Sequence, residues 1–323
     1  MKSKGQILLK DNDKMNTHIP LRYPGGKSSL LNYVEKFIDS NNISVNTIIE
    51  PYAGSAAISV GLLSRDKTLR AYINDSDQMV YAFWKTVMNN NQELIEMVDS
   101  VQVNLDTWFN YQKYLIENPL TVYNEKDLAM AFLFLNRTSY SGIVKAGPLG
   151  GKKQQSKYKI NCRFNKENLK KRIAALEILS SRMEIYNEDG VKFMEEMIKR
   201  NEDVMIYADP PYHEVGKQLY NQYFDDNKHI ELADYLKKIE EQPWLLSYNN
   251  SEFILNLYND KIKMPIYLDY HSGPYRKDIM EYMFSNKVIP SFDTSEKRRE
   301  KSKYQLETTI NLTDKEREIR EML

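Results

Sequence analysis

The sequence holds one cysteine, Cys162, among 323 residues. That excludes a disulfide framework and a Cys-rich zinc site, and it suits a reducing cytoplasm. Net charge is absent too, because 45 Lys and Arg offset 45 Asp and Glu. A polybasic protein that coats nucleic acid over its whole surface is therefore excluded, whereas a local basic patch is not. There is no run of about 18 apolar residues, and the opening MKSKGQILLKDNDK lacks the apolar core of a signal peptide, so neither secretion nor a membrane span is expected. The four histidines, at 18, 213, 229 and 271, show no metal-ligand spacing, and no metal is expected. Internal repeats and low-complexity tracts are missing as well. What is present is enough apolar sequence for a real core, 41% apolar and 11% aromatic, with a length that suits two domains or one carrying a large insertion, at about 150 residues per domain.

The order of apolar periodicities sets the organisation. Residues 1–16 are polar and read as a flexible tail. A Gly-Gly turn follows Leu21, and then Leu30, Leu31, Val34 and Phe37 recur at helical spacing, with Ser28 or Ser29 as the candidate cap. Thr47-Ile48-Ile49 predicts a strand that runs into Glu50-Pro51-Tyr52-Ala53-Gly54-Ser55-Ala56-Ala57 and a helix to about Leu63. Leu69–Ile73 predicts a second strand, ending at Asn74-Asp75. Strand, Gly turn, helix, strand and acidic residue form the opening of a Rossmann-like α/β unit. The rhythm then stops for about 100 residues: 77–118 and 125–138 read as helices, 140–165 as a long loop or hairpin, and 166–181 as helix. After Met183 it resumes, with strands at 183–186, 204–208 and 244–248, helices at 191–199, 229–240 and 251–258, and candidate strands at 262–268 and 279–284. The expected architecture is an α/β domain in two segments, 17–79 and 183–290, interrupted by a mostly helical insertion at 80–182. A charged extension, 291–323, closes the chain, and in it Thr313 and Glu316 fit a capping box.

Four local patterns carry candidate chemistry. Asp209-Pro210-Pro211-Tyr212 ends an apolar strand. Its two prolines fix φ twice and remove two backbone donors, so a carboxylate, an exposed carbonyl and an aromatic face meet at the carboxyl edge of the sheet, where open α/β sheets bind ligands. An amino group on a flat heterocycle fits that set; an ordinary strand-ending turn uses the same residue types. In the Glu50–Ala57 turn, Gly54 permits close approach of a ligand, although Ala56 stands where a dinucleotide fingerprint has a second Gly. Asp75 is placed to accept from ribose hydroxyls, or else is a solvated strand end. Asp189 either meets an exocyclic amine or caps the following helix. Tyr23-Pro24-Gly25-Gly26-Lys27 lacks the spacing of a phosphate loop, but Arg22 and Lys27 around its Gly turn suit a carboxylate or phosphate. Finally, residues 145–172 hold ten Lys or Arg against one acid, Glu167, a net of +9 on a remainder of −9. That segregation points to a phosphate backbone rather than a solvated face, where signs usually mix.

Taken together, LRYPGGKSSLL, IIEPYAGSAAI, YINDSD, FLFLNRTSYSG, YADPPY and SYNNSEFI occur in an order that resembles the Dam-type DNA adenine-N6 methyltransferases, from about residue 19 to 290. The resemblance implies a Rossmann-like S-adenosylmethionine-dependent methyltransferase domain with an inserted target-recognition domain at 80–182. It implies methyl transfer from S-adenosyl-L-methionine to the N6 amine of an adenine flipped from duplex DNA. Catalysis then falls to Asp209, Pro210, Pro211 and Tyr212. Cofactor binding falls to Tyr23, Gly25, Lys27, Glu50, Pro51, Ala53, Gly54, Asp75, Asp189 and Asp209. DNA contact falls to Asn136, Arg137 and Tyr140, with Gly142 in the same segment; Lys145, Lys152, Lys153 and Lys157 are added by the charge of the basic segment, since residues 144–160 are unlike the stretch that follows in GATC-methylating members. A cytoplasmic protein of bacterial or phage origin, independent of membrane and metal, is the corresponding expectation, and a partner restriction endonuclease is left open. Two other readings stay open: a methyltransferase for RNA or a protein amide, and a catalytically idle DNA-binding relative.

Overall fold

The computed structural model describes residues 19–22, 27–201, 203–213, 224–272 and 275–291. Tyr23 and Gly25, the 1–16 tail, and the extension beyond 291 with Thr313 and Glu316 lie outside these residues. A seven-stranded sheet organises the rest, in the order β3-β2-β1-β4-β5-β7-β6. Its strands are β1 (Thr47–Glu50), β2 (Arg70–Asn74), β3 (Met183–Tyr186), β4 (Val204–Ala208), β5 (Trp244–Asn249), β6 (Ile262–Ser272) and β7 (Tyr275–Ser285). The first five pair in parallel, while β7 runs antiparallel to both β5 and β6. The order reverses between β1 and β4, and such a switch point leaves a crevice at the carboxyl ends of the strands. The sheet is that of a Rossmann-like α/β fold.

Alternation along each strand separates two cores. Ile48, Met205, Tyr207, Leu245 and Met283 face one side; Ile49, Val204, Ile206, Trp244, Leu246 and Phe284 face the other. On the first side lie α1 (Leu31–Ser40), α2 (Ala57–Arg65), α3 (Gln78–Asn89), α4 (Asn91–Ser100), α5 (Leu105–Gln112), α6 (Glu125–Thr138) and α7 (Lys166–Leu176). On the second lie α8 (Gly190–Arg200), α9 (Asp226–Lys238) and α10 (Glu252–Leu257). Among the described residues no helix is long and apolar enough to cross a membrane.

Several elements depart from the sequence reading. The 77–118 segment is three helices, because Asn90 and the Val101–Asn104 stretch leave helical geometry and Asn104 caps the next helix at Thr107. Asn side chains bond the nearby backbone and so compete with helix continuation. Ser28 and Ser29 do not cap α1. They sit inside a 3₁₀ turn, Lys27–Leu30, and the cap position is Leu30 without a side-chain bond. Strands β6 and β7 form one hairpin of eleven residues a side. The 140–165 segment is a folded loop. One bridge joins Ser139 to Pro148, and the Gln154 amide donates to Leu149 and Gly151 carbonyls while accepting from Ile160 N–H. Packing is continuous across residue 80: Phe83, Trp84, Phe132 and Leu133 share one core with Ile48, Met205 and Leu245. A parallel sheet needs both faces covered, and α3, where the insertion begins, supplies part of that cover by packing against β3.

Candidate active site

The same alternation that sorts the cores places four polar residues on one face of the sheet at its carboxyl edge. Glu50 shares a face with Ile48, Asp209 with Tyr207, Ser247 with Leu245, and Glu281 with Met283. The register of β5 with β7 sets Glu281 opposite Asn249. Lys27, delivered from the 3₁₀ turn before α1, is 3% exposed and reaches into this face. Its Nζ lies 2.8 and 2.9 Å from the two Asp209 oxygens, 2.9 Å from the Tyr212 hydroxyl and 3.5 Å from Glu281 Oε2. Ser247 donates to Asp209 at 2.8 Å, and the Tyr212 hydroxyl donates to Glu281. Burial works against the Lys27 charge, but Asp209 and Glu281 together raise its pKa above the ordinary lysine range. Burial pushes the Asp209 carboxyl up and Lys27 pulls it back. Asp209, Lys27 and Tyr212 thus come together as one constellation. Ser247 and Glu281 were missed; a charged residue between Met280 and Tyr282 in an apolar strand was the available signal.

The loop after β1 is held from three sides. Ala53 N–H donates to the Asn74 carbonyl at 2.8 Å, Asn74 donates to the Pro51 carbonyl at 3.0 Å, and Trp84 donates to the Gly54 carbonyl at 2.9 Å. Gly54 and Ala56 both have positive φ, 46° each, so the chain adopts at Ala56 the left-handed conformation that a Gly takes most readily. Asp75 accepts from Gly54 N–H and Asp77 N–H, each at 2.9 Å. Buried Glu50 accepts from the Ser59 backbone at 3.0 Å and from its hydroxyl. Burial drives Glu50 up to about 8 and Asp75 up to about 7. Asp189 caps α8 through Val191 and Lys192 and pairs with Lys228 at 2.7 Å. The cap is one of its two sequence readings. Asn74, which ties the β1 loop to β2 and accepts from Glu188 N–H, was read only as a strand end.

Two residues expected at DNA are turned inward. Asn136 is 1% exposed. It accepts from Arg22 N–H and donates to the Arg22 and Gly142 carbonyls, at 2.7, 2.7 and 2.9 Å. Arg137 donates to the carbonyls of Arg163 and Pro20, and Arg172 to that of Ile19. The physical reason is backbone accounting: residues 19–22 lie outside any strand, and these side chains satisfy their polar groups. Burial, with Arg22, Arg172 and Arg163 nearby, lowers Arg137 to about 10. Tyr140, Lys145, Lys152, Lys153 and Lys157 are exposed. Lys170 pairs with Asp99 and Glu167, which trims the basic segment at its far end. Among the described residues no three His, Cys, Asp or Glu gather as metal ligands.

Comparison with known proteins bears on this geometry. The family model described as D12 class N6 adenine-specific DNA methyltransferase matches residues 23–270. A type II methyltransferase of Methanocaldococcus jannaschii, M.MjaIII, is 26% identical over 252 residues, 72% of this chain and 83% of the relative. Two solved structures align over most of the chain: precorrin-6y C5,15-methyltransferase from Geobacter metallireducens GS-15 and the rRNA methyltransferase aviRa from Streptomyces viridochromogenes. The first has 8% identity, TM-score 0.32, and covers 78% of this chain and 84% of its own. The second has 12% identity, TM-score 0.36, and covers 83% and 90%.

Proposed function

Because this chain belongs to the D12 class N6 adenine-specific DNA methyltransferase family, we propose that it methylates an adenine flipped out of duplex DNA, with S-adenosylmethionine as donor. The observation that carries this reading is the Asp209 carboxylate, set at the carboxyl edge next to the β1/β4 switch point and flanked by Pro210 and Tyr212. The donor's fit rests on Glu50 and Asp75. Both carboxyls are raised by burial, so the loop at 50–54 favours a ligand that brings positive charge and hydrogen-bond donors. A sulfonium, an ammonium and ribose hydroxyls meet that demand. Asp75 uses two acceptor positions on Gly54 and Asp77, and a carboxylate has about four. When bound, S-adenosylmethionine supplies an electrophilic methyl group.

The residues of the chain do the rest. The Asp209 carboxylate and the Pro210 carbonyl accept the two hydrogens of the target amine, and this localises its lone pair on nitrogen. Tyr212 offers a ring face to the base, which returns about 1–3 kcal/mol of the flipping cost. Orientation and negative charge near the amine lower the barrier, since positive charge grows on that nitrogen as it attacks. Tyr140 and the exposed lysines at 145, 152, 153 and 157 face the duplex in this reading.

The test is Asp209→Asn, assayed for adenine methylation of duplex DNA beside calorimetric binding of S-adenosylmethionine. Turnover is expected to fall by roughly a hundredfold or more while cofactor binding persists. Near-normal turnover would remove Asp209 from the amine site.

A further inference from the structure

Glu281 is a fully buried carboxylate in mid-strand, and nothing above gives it work. Asp209 raises the question it answers. Lys27 stands within 2.9 Å of both Asp209 oxygens, so the anion aimed at the amine is matched by a cation. A pair of zero net charge offers little to a nitrogen that turns positive as it attacks. Glu281 faces the same ammonium at 3.5 Å and receives the Tyr212 hydroxyl. One lysine facing two acidic residues gives Lys27, Asp209 and Glu281 a formal charge of −1. Glu50 is a poor substitute, because its carboxyl is turned to the Ser59 backbone N–H and hydroxyl.

We propose that Glu281 is a positioning residue for methyl transfer: it draws the Lys27 ammonium away from full neutralisation of Asp209, leaves a net negative charge facing the amine, and fixes Tyr212 by its hydroxyl. The proposal rests on the reading that Asp209 receives the amine. In the step itself the N6–methyl bond forms while the methyl–sulfur bond breaks, its electron pair staying on sulfur. The proton shed by N6 goes to water, and Glu281 neither gains nor loses one.

Charge and shape are separable by substitution. Glu281→Gln keeps the shape and an acceptor for Tyr212 but removes the charge. Its single-turnover methyl-transfer rate at saturating cofactor should fall roughly tenfold or more. Adding Lys27→Met restores a net −1 on Asp209, so the double variant should be faster than Glu281→Gln alone, whereas a purely structural role predicts that the two losses combine. Glu281→Asp keeps charge at shorter reach and should exceed Glu281→Gln in rate. Thermal unfolding followed by circular dichroism, which does not depend on the cofactor, reports the fold of each variant. Wild-type rate in Glu281→Gln, no recovery in the double variant, or Gln outperforming Asp would each overturn the proposal. Asp209→Asn separates the two failures: if it turns over normally, the amine reading falls and takes this proposal with it. If it is inactive while Glu281→Gln is unimpaired, the proposal alone falls.

Discussion

Glu50 and Asp75 bind protons more tightly in the folded chain than their ordinary values of 4.5 and 3.8 allow, because burial raises them to about 8 and about 7. Their contribution to stability is therefore complete below pH 4 and is lost as pH rises through the folded values. A cationic, donor-rich ligand favours the ionised forms and acts in the opposite sense. The thermal midpoint of the ligand-free protein should fall between about pH 5 and 8, and the rise produced by S-adenosylmethionine should grow over the same interval. Calorimetric scans with and without the cofactor check this, and Glu50→Gln should flatten both trends. A cofactor-induced shift that ignores pH would detach these carboxyls from the site. At this scale, legibility followed chemistry. Asp209 and Tyr212 stood out because a carboxylate, two prolines and an aromatic ring rarely serve packing alone. Glu281 and Ser247 did not, because their significance lies in the pairing of β5 with β7, and pairing partners are not written in a linear sequence.

The element that joins the two parts of the chain is the end of α6. Asn136 clamps both backbone groups of Arg22, and five residues further on Lys27 meets Asp209. Gly142 closes the clamp from the far side. With φ of +81°, a Cβ there would stand 2.0 Å from the Arg22 carbonyl oxygen, so backbone and backbone touch where only glycine fits. Asn136→Ala orphans buried groups on two segments and should cost about 2–3 kcal/mol, read from urea unfolding. An unaltered midpoint would mean that water or a neighbouring side chain replaces the amide. The clamp was readable only as a motif: an Asn followed by an Arg at a helix end suggests exposed polar function, and nothing local reports that residues 19–22 need its donors. The strands and helices after Met183 were readable, since each obeys one period. The hairpin was underestimated because Asp269, Arg276, Lys277 and Asp278 interrupt the apolar alternation that marks a strand.

For the whole molecule, charge and core are arranged on different principles. Net charge is zero, yet exposed lysines crowd the loop that follows α6, at 145, 152, 153, 157 and 159. If that loop tracks phosphates, replacing Lys152 and Lys153 together by Ala should weaken duplex binding on every sequence alike. It should also reduce the slope of log K against log salt by roughly 0.9 per lost contact. Titrations at several salt concentrations decide it, and an unaltered slope would move the duplex to another surface. The core, by contrast, runs through the boundary that periodicity suggested near residue 80, because Phe83, Trp84 and Phe132 share it with Ile48 of the sheet. This has a practical bearing on rewriting target choice. A graft of the whole 80–182 stretch from a relative would replace most of α3, which packs against β3, and demand a re-fitted interior. The loop from Ser139 to Phe164 carries its own scaffold in the Ser139–Pro148 bridge and the Gln154 hub. The natural seams for a chimera lie just inside Val144 and Ile160, because these two and Phe164 pack in the core of the host and Gly142 touches Arg22, whereas residues 145–159 contribute nothing to that core.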